Sequence, residues 1–151
     1  MQLKERIIPL NSAGKQSRRH PSVAISANVK SAEGEVPSRL LLKVDSKNLL
    51  DLLPKLLAHV DGVLLSRSEL GMSVHPHSLP ILQKEVIAAC NQAGKTVAVA
   101  SELMYSMRTN ATPTRAEVSD LANAVADGAD AVILAEEVTE GPYSAEVAEV
   151  T

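Results

Sequence analysis

Short aliphatic runs recur along the chain, each about the length of a strand, with longer amphipathic stretches between them. The runs are residues 22–26 (SVAIS), 39–44 (RLLLKV), 62–66 (GVLLS), 96–100 (TVAVA) and 131–135 (AVILA). None alternates cleanly with polar residues, the pattern of parallel strands buried on both faces. Between them the spacing turns helical. Residues 78–93 begin with Ser78 as a cap candidate, carry Pro80 in the first turn and stop at Gly94. Residues 113–127 have Thr112 and Pro113 at the start and Gly128 just past the end. Their apolar positions Val118, Leu121, Ala122 and Val125 fall at helical spacing. Residues 48–59 are also helical by pattern, and Pro54 is expected to bend that helix or push its start later. Strand and helix in alternation predict right-handed β-α-β units on a parallel sheet. The fold class expected is α/β.

Ahead of these units lies a different kind of sequence. Residues 11–20 are rich in Ser, Gly, Lys and Arg, so residues 1–20 read as a polar arm and residues 21–151 as the domain. A chain of 151 residues has room for one domain with a real core. There is no Trp or Phe, and Tyr105 and Tyr143 are the only aromatics, so aliphatic side chains must fill that core.

Charge and cysteine narrow the classes further. The net charge is −3 with a pI near 5.8, and basic residues are spread out, which gives no electrostatic footprint for nucleic acid. Arg18, Arg19 and His20 read as a short solvated cluster. Cys90 is the only cysteine, so no intrachain disulfide forms and a reducing compartment is the default. It falls on an apolar stripe with Leu79, Leu82 and Val86, which suits packing better than nucleophilic chemistry. No apolar run reaches the ~20 residues of a membrane helix. The first residues lack a signal-peptide core, and Glu5 argues against a transit peptide. A cytoplasmic location is expected, with an organelle left open.

In parallel α/β folds the chemistry sits where the strands end. The residues leaving the strands are Lys43, Asp45 and Ser46, then Arg67, Ser68, Glu69 and Gly71, then Ser101 and Glu102, then Glu136 and Glu137. Lys43 and Asp45 are two apart and share one side of a strand, as do Arg67 and Glu69. Carboxylates ringed with a lysine and an arginine suit Mg²⁺ or Mn²⁺ and an anionic ligand. Spacing alone leaves a second reading open, in which these are ordinary charged loops with surface ion pairs. His75 and His77 flank Pro76 as a possible small metal site, against the commoner outcome of exposed, unpaired imidazoles.

Longer segments carry a resemblance. TPTRAEVSDLANAVADGADAVILAEE (residues 112–137) closely resembles the pyruvate kinase signature, roughly PTRAE-x-SD-x-ANAV-x-DG-x-D-x-x-x-LSGE. DGVLLSRSELG (residues 61–71) is similar to the family's DG-x-x-x-ARGDLG. QKEVIAACNQAGKTVAVASELMYSM (residues 83–107) is similar to QK-x-x-I-x-x-CN-x-AGKPV-x-x-ATQMLESM. LLLKVDS (residues 40–46) resembles the II-x-KIEN strand, and SVAISANVKSAEGEV (residues 22–36) resembles AVSFVRSAEDV with two extra residues. The resemblance spans about residues 22–150. It implies strands four to eight of an eight-stranded TIM-type barrel, thus a partial barrel, with the helix after residues 22–26 cut short.

What the family does is then expected here. In it, phosphoryl transfer between phosphoenolpyruvate and ADP gives pyruvate and ATP. By resemblance Lys43 stabilises the phosphoryl group, Asp45 and Glu69 hold the divalent cation, and Arg67 stands beside the site. Ser68 and Glu69 lie where backbone N–H groups receive the substrate carboxylate. Ser101 keeps the hydroxyl of a threonine near the proton-transfer step. The helix from Thr114 to Asp127 matches one that packs at a subunit interface, which implies a homo-oligomer or a partner chain completing the barrel. Potassium is implied by the family alone, since the segments that bind it there have no counterpart in this sequence. Neither have the nucleotide contacts, the lid domain or the effector domain.

Three departures bear on activity. Glu102 stands for a glutamine and Glu136 for the glycine of SGE. As unpaired charges 6–8 Å away, each would oppose an anionic substrate by about 2 kcal/mol. Ser68 stands for a glycine at a close backbone approach. Three functional classes follow: a fragment or split subunit needing other chains, an inactive pyruvate-kinase-like module of a larger complex, and a different metal-dependent phosphoenolpyruvate enzyme.

Overall fold

Four of the aliphatic runs form strands, in chain order and all parallel: β1 (Leu41–Val44), β2 (Gly62–Ser66), β3 (Thr96–Ala100) and β4 (Ala131–Ile133). The computed structural model describes residues 39–151, so the expected strand at residues 22–26 and the arm at residues 1–20 lie outside the described residues. Neighbouring strands are joined by crossovers through helices, the arrangement the alternating pattern called for. Register pairs Lys43 with Leu64, Leu64 with Ala98, and Ala98 with Ala131.

Register also sorts the two faces of the sheet. Leu42, Val44, Val63, Leu65, Val97 and Val99 are buried on the face covered by helices. Leu41, Lys43, Leu64, Ala98 and Ile133 share the other, where Leu41 is 53% and Ile133 40% exposed. These strands carry sequence suited to burial on both faces, yet among the described residues only one is covered. An unclosed arc of a (β/α) barrel has this property, because its second face becomes interior only when the ring is complete.

The helices depart from expectation in informative ways. Helix α1 (Lys47–Leu56) runs through Pro54 and starts no later for it. The ring sits on an exposed position and forgoes only the bond its missing N–H would have made to Leu50. Helix α2 (Arg67–Gly71) is a single short turn. Helix α3 (Leu79–Gln92) follows a 3-10 turn at Pro76–Ser78, so Ser78 is already helical and its side chain caps nothing. It buries Gln83, Val86, Ile87 and Cys90. Helix α4 (Arg115–Ala126) starts later than Pro113, because Thr114 is the true cap and forms a reciprocal capping box with Glu117. It buries Leu121 and Ala124, whereas Val118, Ala122 and Val125 face outward. Only Leu121 of the expected stripe is interior.

Glycine ends both long helices. Gly94 has φ +63° and Gly128 φ +98°, and in each case the following amide reaches back to close the last turn. Beyond β4, helices α5 (Glu136–Thr139) and α6 (Ser144–Val150) complete a second cluster of Leu103, Met104, Met107, Leu121 and Val147. The two methionines are fully buried there, as expected of gap-filling thioethers.

Candidate active site at the strand ends

Because all four strands run the same way, their carboxyl ends open on one edge of the sheet. Lys43 lies near the end of β1 on the uncovered face, and its Nζ is 2.5 Å from Glu69 Oε2, on α2 just beyond β2. The sequence separates these residues widely; parallel pairing of β1 with β2 brings them together. The Lys43 ammonium, and after it the Ser66 hydroxyl, hold the Glu69 carboxyl below its usual pKa, against an opposing effect of burial. Glu69 Oε2 is closed to solvent yet accepts no hydrogen bond of good geometry. Asp45, directly after β1, is half-buried and has no hydrogen-bond or ion-pair partner among the described residues.

Asp45 at the end of β1 and Glu69 just beyond β2 are the carboxylates these strand ends offer a hard divalent cation, and Glu69 is already ion-paired with Lys43. Mg²⁺ accepts one or two protein carboxylates when water and substrate supply its other ligands. Among the described residues no group of three or more His, Cys, Asp and Glu gathers around a common point. A cage made wholly by protein is therefore not what these residues offer.

Glu137 does not join them. It is buried, with Oε1 accepting from the Leu103 N–H at 3.3 Å and Oε2 from the Ala135 N–H at 2.8 Å. β4 stops at Ile133, short of the residue 135 expected, because its partner Ala100 is the last residue of β3 before the chain turns at Ser101 and Glu102. Glu136 also differs from expectation: it is not an unpaired charge, since Arg108 Nη1 lies 3.5 Å away. Glu102 is exposed on a groove of about 350 Å³ that also includes Gln83, Glu117 and Asp120.

Arg67 and Ser101 meet at the end of β3. Arg67 is buried and donates from Nε and Nη2 to the Ser101 carbonyl, from Nη2 to the Glu102 carbonyl, and from Nη1 to Asp120 and Gln83. The Ser101 hydroxyl has no partner among the described residues. Ser68 follows Arg67 in the first turn of α2, where backbone amides have no intrahelical acceptor. Gln83 and Asp120 escaped sequence reasoning. Each lies on a helix, far from Arg67 in the chain, and only their occurrence on inward faces hints at a buried cation.

Elsewhere the candidates resolve simply. The His75 and His77 rings stack at 5.4 Å, both exposed, with no third ligand-type residue gathered to them among the described residues. Cys90 is fully buried, and burial, with Asp130 adding to it, pushes its thiol up to about 11. It is packing, not a nucleophile. No helix of the described residues is long and apolar enough to cross a membrane.

A four-stranded parallel sheet arc covered by helices on one face, with a lysine, carboxylates and a serine at its carboxyl edge, defines the class: part of a (β/α) barrel. The family pattern "Pyruvate kinase, barrel domain" matches residues 18–148, and the chain belongs to the pyruvate kinase family. It is 40% identical over 108 residues to a pyruvate kinase of Sporosarcina psychrophila, covering 72% of this chain and 18% of that one. A Staphylococcus epidermidis pyruvate kinase is 35% identical over 128 residues, covering 85% of this chain and 22% of the relative. A crystal structure of a pyruvate kinase from Cryptosporidium parvum superposes with a TM-score of 0.74 at 34% identity, over 76% of this chain and 24% of that one. The chain thus spans about a fifth of the length of the curated relatives it matches.

Proposed function

We propose that this chain supplies the cation- and phosphoryl-binding arc of a pyruvate-kinase-type site. Strands outside this sequence, from this or another polypeptide, would hold the nucleotide and potassium. The carrying observation is the Lys43–Glu69 pair at the carboxyl edge of β1 and β2; Asp45 directly follows β1 and has no partner among the described residues. In this reading the Lys43 ammonium contacts the phosphoryl oxygens as the group passes between phosphoenolpyruvate and ADP. Asp45 and Glu69 hold Mg²⁺ or Mn²⁺, which when bound neutralises the substrate's negative charge. The first-turn amides at Ser68 and Glu69 receive the substrate carboxylate, and the Ser101 hydroxyl lies toward the carbon that gains a proton. Arg67 enters through the Ser101 carbonyl that it holds.

Phosphoryl transfer depends on positioning donor and acceptor together, worth roughly 7–11 kcal/mol of barrier. An arc that lacks the acceptor's site forfeits most of that. The test is a coupled assay with phosphoenolpyruvate, ADP, Mg²⁺ and K⁺, run on the chain alone and mixed with the complementary strands of a pyruvate kinase barrel. Expected are no turnover alone beyond that of Lys43→Met, and Lys43-dependent turnover in the mixture. A mixture that assembles but shows no Lys43-dependent turnover would favour the second reading, an inactive interaction module. Glu102 and Ser68 support that alternative; Glu136 supports it less, since it shares Arg108 with Glu140.

A further inference from the structure

The turn after β3 holds two consecutive non-glycine residues in the left-handed region, Ser101 at φ +76° and Glu102 at φ +55°. Such a conformation costs an L residue free energy, and neither Ser nor Glu is a residue that adopts it readily. The backbone keeps it only where surrounding contacts impose it. Here the contacts on the two carbonyls come from one side chain. The Arg67 guanidinium meets the Ser101 carbonyl from Nε at 3.1 Å and Nη2 at 2.8 Å, and the Glu102 carbonyl from Nη2 at 2.9 Å.

We infer that Arg67 is a positioning residue, a buried clamp that locks Ser101 and Glu102 in their left-handed turn and so aims the Ser101 hydroxyl at the strand-end site. The inference rests on the proposed function for what the hydroxyl is aimed at, but not for the clamp itself. The guanidinium is planar and its donors are fixed relative to one another, so two carbonyls bound to one fork cannot turn independently. Its own orientation is set from the other side, by Asp120 Oδ2 at 2.5 Å and Gln83 Oε1 at 3.3 Å, both on Nη1. Asp120 also compensates the burial of the cation. The next amide along, Leu103 N–H, is held by Glu137, so the turn is pinned at successive backbone groups. Lysine in place of Arg67 would keep the charge and lose the fork.

The experiment is backbone NMR on the full chain, reading Cα and Cβ shifts at residues 101 and 102 and amide exchange at Glu102 and Leu103. Arg67→Lys is expected to abolish the left-handed shifts and speed exchange of those two amides roughly tenfold, the loss of about one charge-assisted bond. Amides in β2 should change far less. Adding Glu102→Gly, which accepts positive φ without strain, should restore the left-handed Cα and Cβ shifts at Ser101 and about half of the lost protection. Asp120→Asn keeps an acceptor but removes its charge, and should give the same changes in smaller measure; it decides the matter if Arg67→Lys unfolds. Unchanged shifts and protection in whichever variant stays folded would overturn the clamp. None of these readouts involves substrate, so absence of turnover with the turn behaving as described would count against the proposed function alone.

Discussion

Asp130 and Val97 exchange two hydrogen bonds. The Asp130 N–H donates to the Val97 carbonyl at 2.9 Å, and the Asp130 carboxylate accepts from the Val97 N–H at 2.8 Å. One residue just ahead of β4 thereby satisfies both polar groups of a buried strand residue. Asp130→Ala leaves the Val97 N–H without its partner and is expected to cost about 1–3 kcal/mol in urea unfolding. Asp130→Asn, which still offers an acceptor, should cost less. An alanine variant as stable as the parent would mean that the amide finds another partner.

Gly62 sits between β1 and β3 on the uncovered face. A Cβ there would lie 2.8 Å from the Thr96 carbonyl oxygen and 2.8 Å from Leu41 Cδ2. The leucine tip can move, but the backbone oxygen cannot without shifting β3. Gly62→Ala is expected to destabilise by about 1–3 kcal/mol. Wild-type stability in thermal unfolding would show that the strands have room to separate.

Glu117 joins α4 to the turn before it by accepting from the Ser106 N–H and hydroxyl as well as from Thr114. Burial alone would raise its pKa, but the bonds from Ser106 and Thr114 outweigh it and bring the carboxyl below its usual 4.5. A depressed native pKa means the unfolded chain takes up the proton first as pH falls. The stabilisation is therefore complete above about 4.5 and is lost as pH falls through the lowered native value. Glu117→Gln should lose about 1–2 kcal/mol at neutral pH, with the gap from wild type closing as pH falls through the lowered native value. A gap of constant size across that range would contradict the linkage.

Mn²⁺ is expected to broaden resonances from the loops after β1 and β2, at roughly millimolar affinity because two carboxylates and water are all the described residues offer. Lys43→Met should tighten binding, since the ammonium no longer occupies Glu69. Broadening that persists undiminished in an Asp45→Ala, Glu69→Ala double variant would place the cation elsewhere.

The uncovered sheet face, with Leu41, Leu64 and Ile133, is expected to drive self-association of the chain in isolation. Sedimentation at tens of micromolar, roughly where weak contacts become visible, should show species larger than monomer. A stable, unaggregated monomer would mean that the face is covered from within the chain.

Much of this molecule was legible in its linear pattern. The aliphatic runs at residues 62–66 and 96–100 are strands at their expected bounds, and Gly94 and Gly128 end the helices they were read to end. Strand length, helical spacing and glycine stops are local properties of the backbone, and a sequence states them directly. Lys43 and Glu69 were legible as strand-end residues because parallel topology leaves only one edge for them to share. Tertiary structure alone decided the rest. Val118 and Val125 repeat at helical spacing, yet they face outward because the rotation of α4 is set by what Leu121 and Ala124 pack against. Arg67 finds Ser101 across 34 residues and Asp120 across 53, and Glu137 turns from the site to two backbone amides. A charged side chain selects its partner by proximity and by the cost of leaving a buried polar group unsatisfied, and neither quantity exists until the chain has folded.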